Sequence, residues 1–234
     1  MLVLGPYDYF VWVASFVLEV YVVVCSLSRR DFHRYASLNI YMAAAAFVTV
    51  GEFWKLYKYG FSSIEYRFYY YYTDCLLTIL LYFAVMGLYK HVFREMGVGR
   101  HIRLAALVLL LVTAGFSYLV VAHHKQNLGG RFVVEVAQNL YFVGVLLTYL
   151  LWAAVLKMRE TRLRLIQLIL ALGVYFSAFA AVYAMRNLFP GLSLLRFVPP
   201  LVGTWLPLAW AYTFTKVPEE ARLATARLAA RPSR

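Results

Sequence analysis

Seven apolar stretches fill this chain, and the basic residues between them fall mostly on alternate connections. The first, third and fifth connections, together with the C-terminal tail, hold 16 of the 23 Lys and Arg; the second, fourth and sixth hold the other 7. In hydrocarbon a backbone N–H or C=O has no water to bond, so a crossing segment must satisfy its own polar groups as a helix. Such a helix needs about 20 mostly apolar residues. The pattern predicts spans at 8–27, 35–58, 67–89, 102–122, 133–156, 165–185 and 196–216. Lys and Arg concentrate in cytoplasmic loops, which places the N-terminus outside and the C-terminus in the cytoplasm.

Composition agrees with a membrane origin. Hydrophobic residues make up 63% of the 234 and charged residues 15%, against about 25% charged in soluble domains. The spans consume most of the chain and leave one membrane domain, 1–216, followed by a basic tail, 217–234. Pro218 and the acids Glu219 and Glu220 suit a helix start, so the tail reads as a short surface helix or a disordered segment. The net charge of +12 sits mainly in loops expected to face anionic headgroups. Membrane lipid is therefore the expected partner, nucleic acid is not, and the expected location is the cell (plasma) membrane. Short loops join neighbours, which predicts an all-α, up-and-down seven-helix bundle. Cys25 and Cys75 fall at different depths and are not expected to pair. Met1–Tyr9 lacks the basic residues of a cleavable leader, so the first helix is expected to be retained.

Ionisable groups at membrane depth are costly and point to function. Glu19 lies near the middle of the first helix, on a stripe with Asp8, Trp12, Ser15 and Ser26 at helical spacing. It is expected either to be protonated or to hydrogen-bond neutral partners. Asp74 lies outward of the centre of the third helix, with Tyr70 and Tyr71 before it and Thr78 and Tyr82 after it on the same side. Glu52 in the second helix, Gln138 and Asn139 in the fifth and Thr204 in the seventh fall at a similar outer level. Two arrangements satisfy this pattern. One is a polar cavity that opens outward above Glu19 and suits a cation, a metal ion or a proton; the other pairs the acids with Lys55, Lys58 and Arg67 at the interface. The candidate site is Glu19, Glu52, Asp74, Tyr70, Tyr71, Thr78, Gln138, Asn139 and Thr204.

Several function classes find no support. No His-Glu-x-x-His, Gly-x-Ser-x-Gly or phosphate-binding glycine loop occurs, so no catalytic residue is assigned. His123 and His124 are adjacent and point to different faces, no His lies deep in a span, and neither a metal site nor a haem-ligand pair is expected. The topology resembles that of microbial rhodopsins and G-protein-coupled receptors, but the lysine of the last helix, Lys216, falls at its cytoplasmic end, where no retinal would sit. Helix 3 runs into Tyr89-Lys90-His91-Val92-Phe93-Arg94 and helix 7 lacks Asn-Pro-x-x-Tyr, unlike the receptors. No cofactor is therefore identified. The stretch Tyr69–Tyr72, the apolar run through Phe83 and Val85, and Lys90-His91-Val92-Phe93 is similar to a group of uncharacterised bacterial seven-helix proteins, chiefly over helices 2 and 3. That resemblance implies a bacterial multi-pass protein and no particular activity.

The function these features suggest is a non-enzymatic integral membrane protein with a polar outward-facing cavity, binding a small molecule or partner in the manner of a sensor. Signalling would then need a cytoplasmic partner. Two other readings stay open: an accessory subunit of a larger membrane-protein complex, and a proton- or cation-coupled transporter using Glu19 and Asp74.

Overall fold

A computed structural model describes residues 6–28, 33–60, 62–93, 99–122, 128–158, 160, 162–189 and 198–218. The tail beyond Pro218, the His123–His124 pair and the middles of most connecting loops lie outside them. The described residues are helical: α1 (Pro6–Ser28), α2 (Ala36–Tyr59), α3 (Ile64–Val92), α4 (Gly99–Ala122), α5 (Leu128–Lys157), α6 (Leu163–Leu188) and α7 (Val198–Lys216). Six of them, α1 to α6, are long and apolar enough to cross a membrane. In α7 three prolines, two tryptophans and three threonines dilute the apolar content below that of the others. Several helices start earlier than the hydropathy pattern suggests, α5 by five residues, because a helix continues past the edge of its apolar run until a cap or a breaker stops it.

Local chemistry sets the ends. Gly60 terminates α2 at a positive φ of 79°, a conformation closed to most side chains, while its N–H bonds the Leu56 carbonyl. Ser63 then opens α3 from an extended conformation, its Oγ accepting the Tyr66 N–H at 3.1 Å. Pro199 and Pro200 fall in the first turn of α7, where an N–H has no intrahelical partner to lose. Pro207 sits inside α7, and the helix runs through it unbroken.

Six helices close a ring in the order α1, α2, α3, α5, α6, α7 and back to α1, while α4 packs outside against α5 and α3. Helices consecutive in the chain run antiparallel, whereas the ring partners α3 and α5 run parallel, Asp74 meeting Tyr141 and Tyr89 meeting Leu147. Gly51 near the end of α2 meets Tyr69 near the start of α3, and Gly87 near the end of α3 meets Ser37 at the start of α2. The buried face of α4 is Ala106, Thr113, Ser117 and Val121, four small residues at seven- and four-residue steps. Its other faces expose Leu104, Leu107, Leu111, Val112, Phe116 and Leu119. Surfaces of that kind belong in lipid, since soluble monomers rarely leave such large apolar areas bare.

The interior is centred on α6, whose Leu165, Leu168, Ile169, Leu172, Tyr175 and Phe176 are buried at helical spacing, with Trp210 and Phe214 of α7 and Tyr82 and Leu88 of α3 against them. Polar side chains join the helices. Tyr82 and Tyr89 of α3 donate their hydroxyls to the Ala106 and Leu147 carbonyls of α4 and α5, each at 2.7 Å.

One end of the bundle carries a charged knot. Arg164, a loop-edge residue by sequence, is 2% exposed and donates Nε and Nη2 to the Val217 carbonyl at 3.0 and 2.8 Å. Its guanidinium also lies over the Phe214 ring. A cation at the C-terminal end of α7 satisfies an orphan carbonyl and favours the negative pole of the helix dipole. Beside it Arg162 pairs with Glu160 and donates to the His91 carbonyl, and His91 stacks on Tyr35.

The α5–α6 contact depends on Gly144, where an added Cβ would fall within the Phe176 ring. Gly144→Ala is expected to destabilise the bundle by about 1–3 kcal/mol, read as a lowered melting temperature in detergent. Gly115→Ala, which points into open space, serves as the control and should change it little.

Candidate functional site

Three carboxyl groups step down through the bundle from the end opposite the charged knot. Counted from the helix ends at that side, Glu52 lies about 10 Å, Asp74 about 15 Å and Glu19 about 20 Å in, at 1.5 Å per residue. Each comes from a different helix, α2, α3 and α1, because these three are consecutive in the ring. Glu52 lies within electrostatic reach of both Asp74 and Glu19.

Asp74 is held from two sides. Tyr141 of α5 donates its hydroxyl to Oδ1, and Tyr183 of α6 donates to Oδ2, each at 3.2 Å. The backbone carbonyl of Asp74 accepts from Thr78 Oγ at 2.7 Å. Aromatic packing fixes the two tyrosines: the Tyr141 ring stacks on Phe179 at 4.8 Å and lies 5.5 Å from Tyr183. Tyr175, Phe179 and Tyr183 recur every fourth residue and so share one face of α6. Tyr175 lies beside Tyr141, their ring centroids 6.4 Å apart. Tyr41 of α2 is buried within electrostatic reach of Asp74 and Glu19.

Glu19 is 8% exposed, and its Oε2 accepts the Thr49 hydroxyl at 3.1 Å. The same hydroxyl lies 3.0 Å from the Ala45 carbonyl, so its one hydrogen is shared between the carboxyl and the α2 backbone. None of the three acids pairs with a Lys or Arg among the described residues. The ammonium groups of Lys55 and Lys58 instead lie over the Tyr59 ring, each 5.2 Å from its centroid. No group of three His, Cys, Asp or Glu close enough to hold a metal ion occurs among the described residues. Cys25 and Cys75 are free thiols.

The residues that sequence places in the candidate site separate into three environments. Glu19, Glu52, Asp74 and Thr78 belong to the carboxyl–tyrosine centre, and Tyr70 lies beside it, within reach of the charges of Asp74 and Glu52. Tyr71 and Gln138 line a groove of about 850 Å³ at the same end of the bundle, with Arg67, Arg131, Glu135 and Asn187. Asn139 and Thr204 are in neither. Asn139 Nδ2 donates to Ser117 Oγ at 3.0 Å across the α4–α5 contact. Thr204 gives its hydrogen to the Pro200 carbonyl, which leaves its oxygen to accept from Ser15 Oγ at 2.7 Å across α1 and α7. Those two residues join helices. The groove is lined by α3, α4, α5 and α6 and includes none of Glu19, Glu52 and Asp74.

Sequence reasoning passes over Tyr41, Tyr141, Tyr175, Tyr183 and Thr49. The four-residue aromatic repeat on α6 is the one signal that points to any of them. The others are lone tyrosines or threonines on apolar helices, indistinguishable from the chain's 20 tyrosines until their neighbours are known. No protein-family model, no curated protein and no solved structure matches this chain.

Removing either tyrosine hydroxyl strands one carboxylate oxygen in the interior. Tyr141→Phe and Tyr183→Phe are each expected to cost about 1–2 kcal/mol, with the double variant departing from additivity because both act on Asp74. Thermal unfolding of the two singles and the double measures this. Strict additivity would show that the two hydroxyls do not share the carboxyl.

Proposed function

We infer that this chain is a non-enzymatic, multi-pass membrane protein of seven crossings, N-terminus outside, whose carboxyl–tyrosine centre takes up protons in the manner of a sensor. The observation that carries the reading is the set of three intramembrane carboxyls without a Lys or Arg partner. An uncompensated carboxylate in a low-dielectric interior is costly. It needs a positive charge, and the choices are a proton, a metal ion or an organic cation. The acids do not converge as metal ligands, and the groove at that end leaves them out, so the proton, which needs no space, is the occupant that fits. Tyrosine hydroxyls both donate and accept. Tyr141 and Tyr183 on Asp74 therefore let a change of protonation there rearrange hydrogen bonds on α3, α5 and α6 together.

The seven-crossing topology rests on the alternating basic loops, and the bacterial plasma membrane is the setting that the charge pattern and the resemblance suggest. Impermeant labelling of single cysteines placed at Ser62 and Lys157 in intact cells is expected to mark the first alone; the reverse pattern would invert the orientation. The centre itself is tested by infrared titration of the purified protein. The carboxylic-acid carbonyl band is expected to grow as pH falls and to lose one component in each of Glu19→Gln, Glu52→Gln and Asp74→Asn. A band that none of the three variants alters would end the proton-binding reading.

A further inference from the structure

The groove of about 850 Å³ at the far end from the charged knot takes no part in the carboxyl–tyrosine centre, and its walls have two characters. Arg67 lies three residues into α3 and Arg131 three residues into α5, so both guanidinium groups start about one turn below the same end of the bundle. Both residues are exposed, and neither forms an ion pair among the described residues. Glu135, one turn deeper on α5 than Arg131, supplies a carboxylate, and Gln138 and Asn187 supply neutral hydrogen-bonding groups. The remaining wall is apolar and aromatic: Phe68, Tyr72, Val121 and Val134 among others.

In a bilayer this level is the headgroup region. Arginine side chains one turn inside a helix end reach it with their charged heads while their stems stay in apolar surroundings. Guanidinium groups bind phosphate oxygens through paired N–H donors. Two guanidinium groups at one level suit a phosphate anion. Aromatic and valine walls one to three residues deeper suit acyl chain. We propose that this groove is a binding site for one anionic phospholipid, its phosphate on Arg67 and Arg131 and an acyl chain along Phe68 and Val134. The proposal rests on the bundle's crossing a membrane, and it is independent of whether the carboxyl–tyrosine centre titrates.

Native mass spectrometry of the full chain, released from mild detergent after equilibration with single lipids, tests it. Phosphatidylglycerol is expected to be retained as one copy and more tightly than phosphatidylethanolamine or diacylglycerol. Two charge-assisted contacts lead us to expect Arg67→Gln with Arg131→Gln to weaken that binding roughly tenfold or more. Glu135→Gln keeps both arginines, removes the groove's negative charge and should tighten phosphatidylglycerol. All three residues are at the surface or partly exposed, and an unchanged melting temperature without lipid shows that the variants fold. Retention unaffected by the double arginine variant, or no preference over diacylglycerol, would overturn the assignment. Displacement of the lipid by millimolar inorganic phosphate or phosphoethanolamine would move the site to a soluble ligand and overturn it as well. If instead the protein stays dispersed without detergent, the membrane reading has failed, a result these lipid comparisons cannot be mistaken for.

Discussion

Asp74 joins three helices because its carboxyl oxygens, about three turns inside a helix that begins at Ile64, have no basic side chain to bond among the described residues. In an apolar surround a polar group must find a partner in the protein. Here the partners are two tyrosine hydroxyls, one from α5 and one from α6. The same requirement acts on Glu19 through Thr49, on Asn139 through Ser117 and on Thr204 through Ser15. Each satisfied group lies between helices, so the polar residues of the interior are also the contacts that set which helices are neighbours.

The ring of six with α4 outside follows from side-chain size as well. Small residues at an interface let helices approach in the absence of a hydrophobic drive between them. The α4 stripe of Ala106, Thr113 and Ser117 is narrow and contacts α5 mainly, so α3 is left free to touch α5 directly. That direct contact brings Tyr141 within range of Asp74. Had α4 been inserted between α3 and α5, the pair would be separated by a helix diameter of about 10 Å.

The separation of outer-level polar residues into a buried centre, an open groove and two helix-joining pairs has a simple origin. Depth along a helix is a matter of counting residues at 1.5 Å each, whereas direction around it depends on which neighbour the residue meets. Glu52, Gln138 and Thr204 share a depth and face different surroundings. Arg164 illustrates the converse. By position it belongs to a basic loop, yet the end of α7 lies over it and its charge is spent on the Val217 carbonyl.

Sequence alone determined the helical class, the approximate limits of the apolar segments, and the three acids as the groups that demand explanation. These follow from local physics: hydropathy over about 20 residues and the cost of charge in hydrocarbon. Tertiary structure alone decided the ring order, the exclusion of α4, and the partners of those acids. Tyr141 and Tyr183 lie 67 and 109 residues from Asp74, and one tyrosine among 20 carries no mark of the carboxyl it will meet. Partner choice across a bundle is a property of packing, and packing is set by all the helices at once.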